Sequence, residues 1–325
     1  MNNLQKLKHF VTNVKEIKKT ILIVLDEWSI VSVEGNDSTN YLQGQFTKNI
    51  KKLHELNYFF CAHCNHAGKV LSNMIVFTNY NGYIYIQRKS ICNVEIFELK
   101  KYAIFSQVTI YNNNNYVLLG VLGGYINNFL KNCFEKIPNK SHPIVRFSNE
   151  TYILLINDPF KRFLIIMPIK KLQKFFHKFQ GQFLLSTNEQ WKIFDIQIGL
   201  PILDEQNIAK FIPLEINLEN FNSIDYTKGC YQGQEIITRT KFRKNILRNI
   251  YWLIGTAQKL PCAGTLIESN TSIGWSVKGK VLSAIWINQK KIWIQSVLKS
   301  HLLKTDIFRI YNDINSQFFI YKIFI

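Results

Sequence analysis

Apolar and polar residues alternate over short stretches in the first half of the chain, and this period-two pattern predicts β-strands. Residues 20–34 alternate around Trp28 and predict a strand. The apolar runs Tyr58–Cys64 and Val70–Thr78 are joined by a glycine-containing turn and predict a hairpin. Asn81-Gly82 predicts a second tight turn, because both residue types tolerate positive φ. The first half is therefore expected to be rich in antiparallel sheet.

Helical periodicity is present between these strands. Asp37 or Ser38 can cap a helix, and apolar residues at helical spacing predict helices over Ile91–Tyr102 and Leu172–Phe179. Residues 201–235 carry two prolines and two glycines and are predicted to be mostly irregular.

Closely spaced short strands dominate the chain from Ile246 onward. This spacing predicts a small C-terminal β-barrel. The predicted strands are Tyr251–Ile254, Leu266–Glu268, Gly274–Val277, Ala284–Ile287 and Lys291–Val297.

Composition describes a globular chain with a strong positive charge. At 325 residues the length suggests two or three domains of roughly 100–200 residues each. The net charge of +18 favours a polyanionic partner such as RNA, or an acidic small ligand. A bias toward AT-rich codons is an alternative source of part of this charge, because Lys, Asn, Ile, Phe and Tyr are all abundant.

The cysteines and the apolar segments indicate a cytoplasmic protein. The six cysteines are irregularly spaced in a long chain, which differs from a secreted disulfide framework. The apolar run Ile21–Leu25 is too short for a signal peptide and meets Asp26. The uncharged stretch Tyr102–Leu130 is interrupted by Asn112–Asn115, so no membrane span is expected.

The octapeptide Lys228-Gly229-Cys230-Tyr231-Gln232-Gly233-Gln234-Glu235 is the strongest chemical signal. Its two glycines allow a positive-φ backbone path, and the residues after Gly233 can begin a helix. A nearby helix N-terminus and Lys228 would favour the thiolate of Cys230, which makes Cys230 a candidate catalytic residue with Lys228 in support. The alternative is a glycine-flanked turn around a buried, inert cysteine.

Several motifs together carry a resemblance to a known family. Besides the octapeptide and the following Ile236–Arg243, they are Tyr41–Thr47 (Y-L-Q-G-Q-F-T), Leu99–Ser106 and Phe211-Ile212-Pro213. The chain resembles the YgfZ family of tRNA-modifying, folate-binding proteins, which are relatives of the glycine-cleavage T-protein. The similarity extends from about Leu22 to the C-terminus.

The resemblance implies an α+β fold with a three-domain, T-protein-like ring. Residues 20–50 and 115–205 would form a discontinuous first domain, and residues 51–114 and 206–246 a second domain that carries the octapeptide. Residues 247–325 would form the C-terminal β-barrel.

The resemblance also implies a function. It implies binding of a reduced folate, a tetrahydrofolate derivative, and support of tRNA methylthiolation through maintenance of iron–sulfur enzymes. Iron–sulfur tRNA-modifying enzymes, and tRNA itself, are the implied partners. A link to regulation of replication initiation is implied as well.

Folate chemistry selects candidate binding residues. The pterin needs aromatic surface and polar groups at its edge, and the glutamate tail needs cations. Trp28 and Trp191 lie where the family's folate-contacting tryptophans lie, although each can equally be a core aromatic. Gln197 occupies the position of a family glutamate; an amide accepts fewer and weaker hydrogen bonds than a carboxylate. Weaker folate binding than in members that keep the acid is expected.

The segment Lys228–Arg248 carries six cations and one acid, a net charge of +5. Arg239 and Arg243 are the candidates for binding the folate tail, and an RNA phosphate is the other possible ligand. A solvated basic face is the alternative without a ligand. Where the family has a glycine after this segment's K-F-R, the chain has Lys244, so the turn there is expected either to avoid positive φ or to carry strain.

Two further chemistries are disfavoured. Cys61-Ala62-His63-Cys64-Asn65-His66 resembles a metal cluster, but a strand directs alternate residues to opposite faces, so no metal site is expected. Ser72-Asn73 replaces the T-protein's acidic pair and offers no carboxylate base, which argues against aminomethyltransferase activity.

Two functional hypotheses therefore stay open. The first is a folate-dependent accessory protein in which Cys230 performs or assists a step; His63 and His66 are possible partners of that thiol. The second is a non-catalytic tRNA-binding module with a vestigial folate pocket. The sequence alone does not decide whether the protein is an enzyme.

Overall fold

A computed structural model describes residues 5–325 except residues 8, 14, 15, 149, 158, 245, 272 and 273. Contacts between Cα atoms divide the chain into two compact units, each assembled from separate segments. Unit 1 comprises Met1–Tyr41, Lys51–Phe59 and Ile75–Trp191, and unit 2 comprises Leu42–Ile50, Phe60–Met74 and Lys192–Ile325. The three-domain division given above stays a prediction.

The strands of the described chain are β1 (Thr20–Val24), β2 (Trp28–Glu34), β3 (Tyr58–Cys64), β4 (Val70–Asn79), β5 (Gly82–Arg88), β6 (Thr109–Asn112), β7 (Tyr116–Leu122), β8 (Ile144–Phe147), β9 (Thr151–Ile156), β10 (Arg162–Pro168), β11 (Phe183–Ser186), β12 (Arg248–Thr256), β13 (Leu266–Thr271), β14 (Gly274–Asn288), β15 (Lys291–Lys299), β16 (Ile307–Ile310) and β17 (Gln317–Phe324). The α-helices are α1 (Ser38–Gln45), α2 (Cys92–Lys100), α3 (Ile126–Cys133), α4 (Leu172–Lys178), α5 (Asn188–Ile198) and α6 (Gln234–Arg243).

A six-stranded sheet of order β11-β1-β7-β10-β9-β8 lies in unit 1. Strand β1 pairs parallel with β11 and antiparallel with β7. Apolar residues of this sheet form a core with phenylalanines of α3 and α4. The ring of Phe129 meets those of Phe175, Phe179 and Phe183 edge-on at centroid distances of 6.4, 6.1 and 5.9 Å. Such edge-to-face contacts add to the stabilisation from burial.

A five-stranded sheet has the order β3-β4-β5-β2-β6. The predicted strand Tyr58–Cys64 and the predicted turn at Asn81-Gly82 are both confirmed, the latter joining β4 to antiparallel β5. Gly82 has a φ of +149°, and a Cβ there would lie 2.2 Å from the carbonyl oxygen of Val33. Only glycine fits this turn, because strand β2 passes directly beside it.

The prediction of one strand over residues 20–34 is wrong in one respect. The segment forms two strands, β1 in the six-stranded sheet and β2 in the five-stranded sheet. They are separated by a turn in which the Trp28 amide donates to the carbonyl of Leu25 over 3.2 Å. Alternation alone cannot show this break, because the polar pair Asp26-Glu27 also fits an exposed stretch of a longer strand.

The predicted C-terminal barrel is confirmed. In unit 2 the strands close in the order β12-β15-β14-β13-β16-β17 around a core that includes Tyr251, Phe308 and Phe318. Strand β14 replaces two predicted strands, and β16 and β17 lie beyond those that the pattern predicts. A register shift between Val281 and Ser283 interrupts the β14–β15 ladder. A bulge of this kind bends a long strand around a barrel while leaving it continuous.

The predicted helices are present as α1, α2 and α4. Helix α4 ends one residue before the predicted end at Phe179. Helix α2 begins one residue later and ends two residues earlier than the predicted span Ile91–Tyr102. Between α5 and α6 the chain is irregular, as predicted, apart from the 3₁₀ turns Glu205–Asn207, Pro213–Ile216 and Leu218–Phe221. None of the helices in the described chain has the length and apolar character needed to cross a bilayer.

Candidate functional site

The octapeptide forms a loop that leads into α6. Gly233 precedes the helix with φ 81° and ψ 1°, so the predicted positive φ is confirmed there. Gly229 does not have a positive φ, and a Cβ at Gly229 would meet open space. The two glycines therefore have different roles: Gly233 is required by the backbone, and Gly229 is not.

Gly233 is also required by close packing within unit 2. A Cβ at Gly233 would lie 2.5 Å from the carbonyl oxygen of Asn65 and 2.7 Å from the Cα of Gly68. Gly68 itself has a φ of +68° and lies in the turn between β3 and β4. Because both residues lack a side chain, the backbone of this turn contacts the backbone at the start of α6. This contact fixes the position at which the octapeptide enters the helix.

Lys228 anchors the octapeptide to residues 42–48. Its ammonium donates hydrogen bonds to the carbonyl oxygens of Gln43, Phe46 and Lys48 over 2.6, 2.6 and 2.9 Å. The side chain is buried, with 7% of its surface exposed. An ammonium has three donors, so all of them are engaged and none is left for Cys230. Lys228 therefore fixes the position of the loop that carries Cys230 and makes no hydrogen bond to the thiol.

Two further hydrogen bonds involve residues 42–48. The Gln232 amide donates to the carbonyl of Gly44 over 3.1 Å, and the Thr47 hydroxyl donates over 2.7 Å to the carbonyl of Ser223, which precedes the octapeptide. The motif residues 42–47 and the octapeptide, separated by about 180 positions in sequence, are therefore parts of one local structure.

Burial lowers the pKa of Lys228 to about 8, while electrostatic interactions with Cys61 and Asp225 partly oppose that change. The three carbonyl acceptors stabilise the ammonium that burial disfavours. Burying the charged form of Lys228 costs free energy, because the ammonium is removed from water, and a neutral side chain would not incur this desolvation cost.

Cys230 is exposed, and its neighbour Tyr231 is buried. The alternative of a sealed, inert thiol at this position is therefore wrong. Cys262 is the other exposed cysteine, and all six cysteines are free thiols. An accessible thiol in a fixed loop is available to a reaction partner, whereas a buried structural cysteine is not.

The cysteine–histidine cluster belongs to the core of unit 2. Cys61, His63 and Cys64 lie on β3 and are fully buried, and the ring of His63 lies 6.0 Å from that of Phe46. Burial raises the pKa of the Cys64 thiol, which disfavours the thiolate that a metal would bind. Among the described residues no group of three or more His, Cys, Asp or Glu side chains could hold a metal ion.

The Ser72-Asn73 pair supports the chain after α5. The Asn73 amide donates to the carbonyl of Pro201 over 2.9 Å. Gln295 of β15 holds the same segment through the carbonyl of Leu200 and the amide of Ile202. Gln197, at the penultimate position of α5, is half-buried. The amide at position 73 therefore has a structural role.

Each predicted folate-contacting tryptophan lies under an arginine in unit 1. The guanidinium of Arg88 is 4.6 Å from the ring centroid of Trp28, and that of Arg162 is 4.4 Å from Trp191. Trp28 is half-buried, whereas Trp191 is only 3% exposed. A Cβ at Gly120 would lie 2.6 Å from the indole of Trp191, so that ring also packs on the backbone of β7. Trp28 therefore offers more surface to a ligand than Trp191 does.

The predicted charge of the segment Lys228–Arg248 is reduced by acids from elsewhere in unit 2. Lys241 pairs with Glu219 over 2.6 Å, and Arg248 pairs with Glu215 over 2.9 Å. Arg239 lies 4.0 Å from Glu235. In the described chain, Arg243 and Lys244 on the exposed end of α6 have no ion pair. The strongly basic surface expected from the sequence is thus confined to Arg239, Arg243 and Lys244.

Sequence reasoning did not identify Arg88 and Arg162, because no local signal marks an arginine that stacks on a distant tryptophan. It also did not identify Thr47, although the motif Tyr41–Thr47 contains it. The Thr47 hydroxyl accepts from the Ala62 amide over 2.9 Å while donating to Ser223. A hydroxyl that bridges β3 and Ser223, more than 150 positions later in the chain, is visible only in three dimensions.

Comparisons with known proteins agree with this arrangement. Residues 247–313 match the family model described as the YgfZ β-barrel domain. The chain is 38% identical over 292 residues to the tRNA-modifying protein YgfZ of Yersinia pestis (strain Pestoides F), covering 90% of this chain and 88% of that protein. It is 36% identical over 296 residues to the tRNA-modifying protein YgfZ of Pectobacterium carotovorum subsp. carotovorum (strain PC1), covering 91% and 89%.

A solved structure shares the fold. Aminomethyltransferase T of the glycine cleavage system from Bartonella henselae superposes with a TM-score of 0.75, covering 95% of this chain and 86% of that protein at 13% identity. The predicted T-protein-like α+β fold with a C-terminal barrel is confirmed. At this identity the similarity concerns the fold and not the reaction.

Proposed function

Because this chain belongs to the YgfZ family, we propose that it is a cytoplasmic, folate-binding accessory protein that supports tRNA modification. Its curated relatives in Yersinia pestis and Pectobacterium carotovorum are named tRNA-modifying proteins. The proposed contribution is to tRNA methylthiolation, through maintenance of the iron–sulfur enzymes that carry it out. A link to regulation of replication initiation belongs to the same proposal.

The observation that carries this proposal is the exposure of Cys230 in a loop held by a buried ammonium. Three hydrogen bonds from Lys228 and one from the Gln232 amide fix the loop on both sides of the thiol. A thiol on a mobile loop would lose conformational entropy each time it engaged a partner. The hydrogen bonds to this loop already order it, so that loss is smaller here. The arrangement suits a cysteine that acts on, or is recognised by, another molecule.

The proposed folate contacts are Trp28, Trp191, Gln197, Arg239 and Arg243. Arg239 and Arg243 are four residues apart on α6, so they lie on the same side of the helix, and both are exposed. Guanidinium groups bind carboxylates through paired hydrogen bonds, which suits the glutamate tail of a folate. The two indoles would supply aromatic surface for the pterin, with Trp28 the more accessible.

A second candidate function is tRNA binding without chemistry. Phe242 is 77% exposed. It lies between Lys241 and Arg243 in the sequence, and Lys244 follows Arg243. An exposed aromatic ring flanked by cations is suited to stacking on an unpaired base while the cations contact phosphates. This observation favours the end of α6 as the RNA contact.

The two candidates are separated by binding measurements on the same protein. Titration with tetrahydrofolate is followed by tryptophan fluorescence, with Trp28→Phe as the variant that should reduce the quenching. Binding of tRNA is measured at two salt concentrations, because phosphate contacts make affinity fall steeply with salt. Quenching with weak RNA binding supports the folate proposal; salt-dependent RNA binding without quenching supports the second candidate and contradicts the first.

The role of Cys230 is tested by complementation of a YgfZ-deficient strain, with tRNA methylthiolation as the measurement. Cys230→Ala should fail to restore methylthiolation, and Cys262→Ala should restore it as well as the wild type does. Cys262 is the matched control because it is the other exposed thiol. Equal restoration by both variants would show that Cys230 has no part in the function.

A further inference from the structure

A cavity of about 470 Å³ lies within unit 1, and none of its lining residues belongs to the proposed folate or tRNA contacts. Its lining combines two carboxylates, Glu34 and Glu150, with the rings of Tyr80, Tyr111 and Tyr116. Four asparagines and Lys170 complete most of the polar wall. The volume is within the roughly 300–1,000 Å³ that small-molecule sites occupy. Tyr80 and Lys170 are exposed, so the cavity is reached from solvent.

A tyrosine lies beside each of the two carboxylates. The Tyr111 hydroxyl donates to Glu34 over 3.0 Å. Burial raises the pKa of both phenols, to about 12 for Tyr116, where the charge of nearby Glu150 adds to the effect, so both phenols remain protonated at neutral pH. Each glutamate keeps further acceptor positions for a ligand.

The aromatic walls are suited to a positive charge. The π-face of a tyrosine attracts cations, and the guanidinium of Arg146 takes that position over the ring of Tyr80, which leaves Tyr111 and Tyr116 as the rings that a ligand can use. The chain has 40 basic and 22 acidic residues, so a cavity lined by two carboxylates is more acidic than the average composition of the protein. Lys170 is the basic residue of the lining, and Arg146 beside Tyr80 is a second nearby cation. The two carboxylates are the groups that a cationic ligand would bind, and they repel an anion.

A metal ion fits less well than an organic cation. Hard cations take six or more oxygen ligands with several carboxylates, and the lining offers two carboxylates on separate strands or turns. In the described part of the chain no cluster of His, Cys, Asp and Glu could hold a metal. The rings of Tyr111 and Tyr116 would contribute nothing to metal coordination, but they are suited to the hydrocarbon and the charge of an alkylammonium ion.

We propose that this cavity binds a small organic amine as its alkylammonium ion, with Glu34 and Glu150 as hydrogen-bond acceptors and Tyr111 and Tyr116 as the aromatic walls. The four asparagine side chains provide further acceptors for the ammonium hydrogens. The class includes diamines and polyamines, which carry ammonium groups joined by methylene chains. The site is independent of the folate and tRNA proposals.

The test is isothermal titration calorimetry of the full chain with putrescine and spermidine. A protein of net charge +18 repels cations in general, so saturable binding points to a local site. Glu34→Gln and Glu150→Gln should each weaken binding about tenfold or more, because a charged acceptor becomes neutral. The exposed Glu55→Gln is the matched control and should leave the affinity unchanged. Lys170→Gln should tighten binding, because it removes the opposing charge.

Three results would overturn the proposal. Binding of uncharged 1,4-butanediol with an affinity like that of putrescine would show that the charge is not recognised. Displacement of putrescine by an equal concentration of Mg²⁺ would identify a metal site. Unchanged affinity in both glutamine variants would place the binding elsewhere. Glutamine keeps an acceptor oxygen for the tyrosines, and thermal unfolding of the variants checks that they fold.

Discussion

The ammonium nitrogen of Lys228 lies 2.6 Å from the carbonyl oxygen of Phe46, although 182 positions separate the two residues in sequence. This contact joins the octapeptide to the segment after α1. The sequence places Lys228 in a basic segment, but its side chain is buried and anchors the loop, so it is not part of a basic surface.

Replacing Lys228 with methionine should lower the free energy of unfolding by about 2 kcal/mol. The variant keeps the length of the side chain but leaves three buried carbonyl groups without their charged donor. Urea denaturation at pH 7 gives the value. Lys241→Met is the control, because its exposed pair with Glu219 contributes less than about 1 kcal/mol. Similar stability for both variants would show that the anchor is unimportant.

The same lysine predicts a pH dependence. Its pKa is about 8 in the folded chain against an ordinary value of 10.5, so between these two values the unfolded chain binds more protons than the folded one. The free energy of unfolding should therefore rise from pH 8 to pH 10.5 relative to the Lys228→Met variant, by up to about 3 kcal/mol. A difference between the two proteins that is constant or falls over this range would contradict the low pKa.

Gly233→Ala should destabilise unit 2 by about 3 kcal/mol. The substitution adds a Cβ to a residue with φ 81° and forces it against Asn65 and Gly68. Gly229→Ala is the internal comparison, since a Cβ there meets open space, and it should change the stability by less than about 0.5 kcal/mol. Equilibrium denaturation of both variants checks the contrast, and equal values would mean that the close approach is relieved by a backbone shift.

Lys244→Gly should stabilise the protein by about 0.5–1 kcal/mol. Lys244 ends α6 with φ 50° and ψ 29°, so the strain that the sequence raised as one alternative is present. Glycine adopts this conformation without a Cβ clash, although it has more freedom to lose on folding. Lys241→Gly, inside the last turn of the same helix, should instead destabilise by about 1 kcal/mol. Thermal melting of the two variants should shift in opposite directions.

Gln197→Glu should tighten tetrahydrofolate binding if Gln197 meets the pterin edge. A carboxylate can accept two charge-assisted hydrogen bonds from the pterin, where the amide oxygen offers a neutral acceptor. A gain of about tenfold corresponds to one improved charged hydrogen bond. Fluorescence titration of both proteins provides the measurement, and equal affinities would remove Gln197 from the binding site.

The pattern of hydrophobic and polar residues determined much of the secondary structure. Strand Tyr58–Cys64, the hairpin turn at Asn81-Gly82 and the barrel of short strands follow from local alternation and turn chemistry. These features depend on residues a few positions apart, which a sequence displays directly. The motifs around Tyr41–Thr47 and Cys230 likewise identified the family that the comparisons then established.

Tertiary structure alone decided how the charged and aromatic side chains are used. Lys228 is buried against Gln43, Phe46 and Lys48, and Glu215 and Glu219 neutralise Arg248 and Lys241. Trp191 is enclosed by Arg162 and Gly120 rather than left open as an aromatic platform. The cost of burying a charge and the energy of an ion pair depend on neighbours in space, and here those neighbours lie tens to nearly two hundred positions away in the chain.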